Sequence, residues 1–150
     1  MTLGLVLNSC FFGFYAHFGF ARELERAGVP IAAAAGSSAG AIVAAIVASG
    51  LGASRGLDMA LSFTRDDFWD PEPLHRAVAR LGLVRGERLE RILEAHLPHA
   101  RIEACPLPLV IAAVSVPPLV PRLLTEGPLA RAVRASCAIP FVLQPVPLGG

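Results

Sequence analysis

The sequence predicts an α/β fold built on a mostly parallel sheet flanked by helices, and three observations point there. Short apolar runs alternate with helix-length stretches. A glycine-rich turn joins one apolar run directly to an apolar helix. With 150 residues, 54% hydrophobic and 17% charged, the chain has the composition of one globular domain with a core of its own.

Leu3 to Leu7 is a short apolar run suited to a buried strand. A loop leads into a helix from about Gly13 to Ala27, with Arg22, Glu23, Glu25 and Arg26 on one face and Phe14, Phe18, Ala21 and Leu24 on the other. Gly28 is a natural stop. Val29 to Ala35 is the second apolar run, followed by Gly-Ser-Ser-Ala-Gly and a helix-like stretch from Ala41 to Ser49. Arg65, Asp66, Asp67, Trp69 and Asp70, with Pro71 and Pro73, read as a surface loop between helices, its carboxylates solvated. Glu87 to Leu97 is an amphipathic helix, Leu107 to Val116 a central strand, Leu129 to Ala135 a short helix and Phe141 to Leu148 an edge-like extended segment.

The formal charge of +1 argues against electrostatic capture of nucleic acid. Cys10, Cys105 and Cys137 are odd in number and lack C-x-x-C spacing, so they read as free buried thiols. Met1 to Ala21 carries no charge, yet a secretory signal would need a basic start, and glycines and serines punctuate the uncharged stretch from Ala32 to Ala53. The default location is the cytoplasm, with peripheral membrane contact left open.

The strongest motif is Gly36-Ser37-Ser38-Ala39-Gly40, a G-x-S-x-G between an apolar strand and an apolar helix. A nucleophile elbow needs small residues because the serine takes a strained backbone and strand and helix meet closely. Ser38 would then project at a helix N-terminus, where positive potential favours an anion. A serine nucleophile needs a base. Asp66 or Asp70 with His96 or His99 satisfies the chain order of an α/β-hydrolase, but only two strands precede Ser38 where that fold needs about five. His96 and His99 read instead as helix-end residues rather than metal ligands, and no metal or other cofactor is expected.

The order of blocks resembles the patatin-like phospholipases. Leu5-Val6-Leu7, His17, Gly19, Leu24-Glu25-Arg26-Ala27-Gly28, the elbow with Ala41, and the later run Gly127 to Pro140 containing Ala135-Ser136-Cys137-Ala138-Ile139-Pro140 match that family's pattern. The resemblance implies a three-layer fold and a Ser-Asp dyad in which Ser38 attacks a lipid acyl ester. Aspartate would be the base, and backbone amides of the first loop, at Ser9, Cys10, Phe11 and Gly13, would hold the oxyanion. His17 would be structural. Phe11, Phe12, Phe14, Tyr15, Phe18 and Phe20 read as core, with an acyl-chain channel as the alternative.

Two departures from the pattern stand out. Ser9-Cys10-Phe11-Phe12-Gly13 replaces a loop that is usually glycine-rich with one basic residue, and Phe11 and Phe12 there oppose special backbone angles. No aspartate follows Asp70, whereas the family's aspartate belongs to a D-G-A/G motif on a strand after the segment matching Phe141 to Leu148. The expectation is therefore one incomplete domain over residues 1–150, ending at Gly149-Gly150 in a turn before that strand, the alternative being a natural short form. The alternatives to a hydrolase are an inactive patatin-fold module that binds lipid or a partner, and an acyltransferase. Oligomeric state is left open.

Overall fold

In the computed structural model, residues 2–148 are described. Strand β1 (Leu3–Leu7) leads through a 3-10 turn at Phe11–Gly13 into α1 (Phe14–Arg26), β2 (Ile31–Ser37) and α2 (Ala39–Ala48). Next come α3 (Ala53–Ser62), α4 (Arg65–Phe68), α5 (Leu74–Ala79), β3 (Gly82–Val84) and α6 (Glu87–His96). A 3-10 turn at Ile102–Ala104 precedes β4 (Leu109–Ser115), β5 (Val120–Leu124), α7 (Leu129–Ser136) and β6 (Phe141–Leu143). Gly149-Gly150, where the chain-end turn was expected, lies outside the described residues.

The α/β expectation holds. The main sheet runs β1-β2-β4-β5, with β1–β2 and β2–β4 parallel and β4–β5 antiparallel. Strand order that steps one way through right-handed crossovers places the connecting helices on one face. That face carries Leu5, Leu7, Ala34 and Ile111, which join Phe18, Ile46, Leu129 and Val133 in the core. Helix α2 has no polar side chain from Ala39 to Ala48, and a helix apolar all round must be buried. It accordingly lies between the sheet and α1, α3 and α7. Of the three layers expected, the described residues supply this helical layer and the sheet. On the opposite sheet face Val6, Val114 and Leu123 are exposed.

Several connections come from side chains far away in sequence. Glu25 on α1 accepts the amides of Ala53 (2.6 Å) and Ser54 (3.1 Å), capping α3 from outside. Arg134 on α7 donates to Glu90 (2.6 Å) and to the Arg85 carbonyl (2.7 Å), locking α7 against α6.

Four sequence expectations need correcting. The segment read as a loop forms α4, because Thr64 and Asp67 cap its first turn reciprocally. The amide and hydroxyl of Thr64 hold the Asp67 carboxyl below its ordinary range. Asp70 is not solvated: it is 1% exposed and accepts the amides of Gly86 (2.8 Å) and Arg88 (3.0 Å) at the start of α6. Phe141 to Leu148 is strand only at Phe141–Leu143, paired in parallel with β3 in a separate two-stranded sheet. All three cysteines are free, but only Cys137 is buried. Among the described residues no helix is long and apolar enough to cross a membrane, and no cluster of metal-ligating side chains occurs.

Candidate active site

Ser38 sits between the last residue of β2 and the first of α2, at φ +54°, ψ −121°. A non-glycine residue there is strained and persists only where its surroundings over-determine it. The surroundings do so. A Cβ on Gly36 would lie 2.3 Å from the Gly40 carbonyl oxygen, and one on Gly40 would lie 2.3 Å from that of Leu7. Both elbow glycines are therefore demanded by backbone contact between β2, α2 and the end of β1.

Three hydrogen bonds hold the turn. The Ser38 amide donates to Ser136 Oγ (2.7 Å), and the Ser136 hydroxyl donates to the Ala112 carbonyl on β4 (2.6 Å). The hydroxyls of Ser37 and Ser9 lie 2.9 Å apart, tying the elbow to the first loop. Cys137, next to Ser136, packs against the Ser38 side chain. Burial pushes its thiol up to about 12, and a hydrogen bond with the Ser38 hydroxyl opposes part of that rise.

The first loop takes the special backbone that Phe11 and Phe12 were expected to oppose. Phe11 adopts φ +53°, at a cost of about 1–2 kcal/mol for a side chain in the left-handed region. Ser9, Cys10 and Phe11 line a cleft of about 420 Å³ together with Ser38 and Ser136. Gly13 differs from the expectation: its amide donates to the Cys10 carbonyl (2.8 Å), which removes it from the free donors. His17 Nε2–H donates to the Asn8 carbonyl (3.0 Å), bracing the loop from α1.

On its other side Ser38 opens onto an apolar cavity of about 600 Å³, within the usual range for small-molecule sites. Phe11, Phe12, Phe14, Tyr15 and Phe18 line it, whereas Phe20 does not. Phe18 is at once fully buried core and cavity wall. Met59, Phe63, Trp69, Leu89 and Ile92 line the cavity too, residues of the middle of the chain that sequence reasoning did not connect with the site. Arg65 is the one charged residue among the described lining residues, its guanidinium 4.8 Å above the Trp69 ring.

No aspartate, glutamate or histidine lines either space among the described residues. Asp70 is occupied as a cap, and His96 donates through Nδ1 to the Ile92 carbonyl (2.8 Å) with its ring edge-on to Phe63. The arrangement thus presents a strained serine, a loop with backbone amides and an apolar chamber, with no carboxylate or imidazole beside them among the described residues.

The sequence and fold are similar to those of known proteins. The family model described as Patatin-like phospholipase matches residues 5–150. Two uncharacterized NTE family proteins of Mycobacterium tuberculosis are 31% and 30% identical over 146 residues, covering 97% and 91% of this chain but 24% and 37% of their own length. The chain thus spans between about a quarter and two fifths of the length of the curated relatives it matches. The crystal structure of the type III effector protein ExoU superposes with a TM-score of 0.55 at 20% identity, over 91% of this chain and 39% of that one.

Proposed function

Since this chain belongs to the patatin-like phospholipase family, we propose that it forms the nucleophile-bearing part of a serine-dependent lipid acyl hydrolase. The observation that carries the reading is the position of Ser38, at a strained elbow where a loop-lined cleft meets an apolar cavity of about 600 Å³. An acyl chain would occupy the cavity with its ester carbonyl at Ser38 Oγ. Ser38 would add to that carbonyl, and its proton would pass to a base and then to the departing alcohol. Collapse of the tetrahedral adduct leaves an ester on Ser38, which water hydrolyses. The oxyanion would lie among the amides of Ser9, Cys10 and Phe11 and that of Ala39, the residue after the nucleophile at the start of α2. Ser38's own amide is engaged on Ser136 and takes no part. Because no carboxylate of the described residues borders Ser38, the dyad aspartate would come from sequence outside this chain.

The exposed side chains of Phe11, Phe12 and Trp69 line the cavity and also face solvent, so they form its rim. A lipid surface is their natural counterpart, with the enzyme docking there peripherally.

The test compares fluorophosphonate labelling and p-nitrophenyl ester hydrolysis for the protein extended by its downstream sequence and for its Ser38→Ala variant. Hydrolysis should fall by several orders of magnitude and labelling should vanish in the variant. Equal labelling and turnover would refute the assignment. The exposed apolar side chains of Phe11 and Phe12 at the cavity rim favour a second reading, a module that binds lipid without turning it over. It requires fatty-acid binding, no turnover in the extended protein and indifference to Ser38→Ala.

A further inference from the structure

The run Ala135-Ser136-Cys137-Ala138-Ile139-Pro140 has no assigned part in the chemistry above, yet it walls the nucleophile. Ser136, Ala138, Ile139 and Pro140 line the cleft, and Cys137 lines the cavity. Within the run, Ser136 ends α7 and holds two backbone groups from different elements. Its oxygen accepts from the Ser38 amide at 2.7 Å, and its proton goes to the Ala112 carbonyl at 2.6 Å. The register of β2 on β4 sets Ala112 opposite Ser37, so the bridged strand position is level with the residue before the nucleophile. A hydroxyl has one proton to donate, and here it is engaged on Ala112. Ser136 therefore lines the cleft without offering a free donor to a substrate.

We propose that Ser136 is a positioning residue for the nucleophile: its hydroxyl bridges the Ser38 amide to β4 and so holds the elbow at the backbone angles from which Ser38 Oγ can attack. The proposal rests on Ser38 being the nucleophile. The physical basis is that a residue at φ +54° relaxes unless its backbone is tied, and Ser136 ties the Ser38 amide itself. The anchor is rigid, because α7 is locked two residues earlier by Arg134 on Glu90 and Arg85.

The experiment uses the extended protein, with Ser136→Ala and Ser136→Thr compared with wild type. It reads the rate of fluorophosphonate labelling at Ser38, kcat and KM on a p-nitrophenyl ester, and Tm. Ser136→Ala should lower the labelling rate and kcat by about 10- to 100-fold, the scale of a small misplacement of a reacting group, with KM nearly unchanged. Ser136→Thr, which keeps the hydroxyl, should recover most of the loss. Wild-type rates in Ser136→Ala would overturn the proposal, as would a loss accounted for by the unfolded fraction at the assay temperature. A wild-type protein that is never labelled at Ser38 would remove the underlying reading, and the proposal with it.

Discussion

Replacing Gly40 by alanine should destabilise the fold, although helix propensity alone says the opposite. Gly40 is the second residue of α2, where alanine is favoured over glycine by at most about 1 kcal/mol. The added Cβ would, however, sit 2.3 Å from the Leu7 carbonyl oxygen, 2.6 Å from its carbon and 2.7 Å from the Asn8 oxygen. Real Cβ contacts stay above 3.0 Å, so the end of β1 and the start of α2 must separate by at least about 0.7 Å. All three obstructing atoms are backbone, so no rotamer change relieves them. Overpacking of this kind costs about 1–3 kcal/mol, and a backbone clash this close belongs at the upper end. The net loss is about 2 kcal/mol, or a Tm lowered by about 4–8 °C for a chain of this length. Gly19→Ala in α1 is the control, because a Cβ there meets nothing within 4 Å and should raise stability by about 0.5–1 kcal/mol. Thermal unfolding followed by far-UV circular dichroism on both variants decides the matter. A Gly40→Ala protein as stable as wild type, or two glycine variants shifted in the same direction, would refute the steric reasoning.

Glu25→Ala should cost about 1–2 kcal/mol in urea unfolding, because the first amides of α3 lose both oxygens of their cap; Glu25→Gln, which keeps one acceptor, should recover about half. An unchanged midpoint would show that the cap contributes nothing. For Cys137, the folded thiol stays protonated up to about 12 while the unfolded one ionises near 9.0. Unfolding therefore releases a proton between those values, and stability falls as pH rises through that window by up to about 1.4 kcal/mol per pH unit. Cys137→Ala should lack that component, so equal pH slopes for variant and wild type from pH 9 to 11 would contradict the burial.

Much of the fold was legible because it is written locally. The runs at Leu3–Leu7, Ile31–Ser37 and Leu109–Ser115 are strands, and the amphipathic stretches at Phe14–Arg26, Glu87–His96 and Leu129–Ser136 are helices, each within a few residues of its expected bounds. Helix α3 was not legible, since Gly52, Ser54 and Gly56 weaken its pattern and its cap comes from Glu25 on another helix. Gly56 is there because a Cβ would press on Ile46 and Phe18 at 2.6 Å. Strands β3 and β6 are three residues each, too short to alternate, and exist by pairing across the chain. Asp70, in a charge-dense run, looked solvated because nothing in that run shows the amides of Gly86 and Arg88 waiting for it.

By itself the sequence determined the strand-turn-helix at Gly36–Gly40 and marked Ser38, because steric limits on backbone angles and the period of apolar residues act over a few positions. Tertiary structure alone decided that Phe11 takes the left-handed conformation, that Asp70 is a buried cap rather than a base, and that aromatic residues of α1 share one cavity with α3, α4 and α6. It also decided that Ser136 holds Ser38 across 98 positions of chain. Such a bond depends on where folding brings two groups together, and on the cost of leaving buried polar groups without partners, neither of which local pattern records.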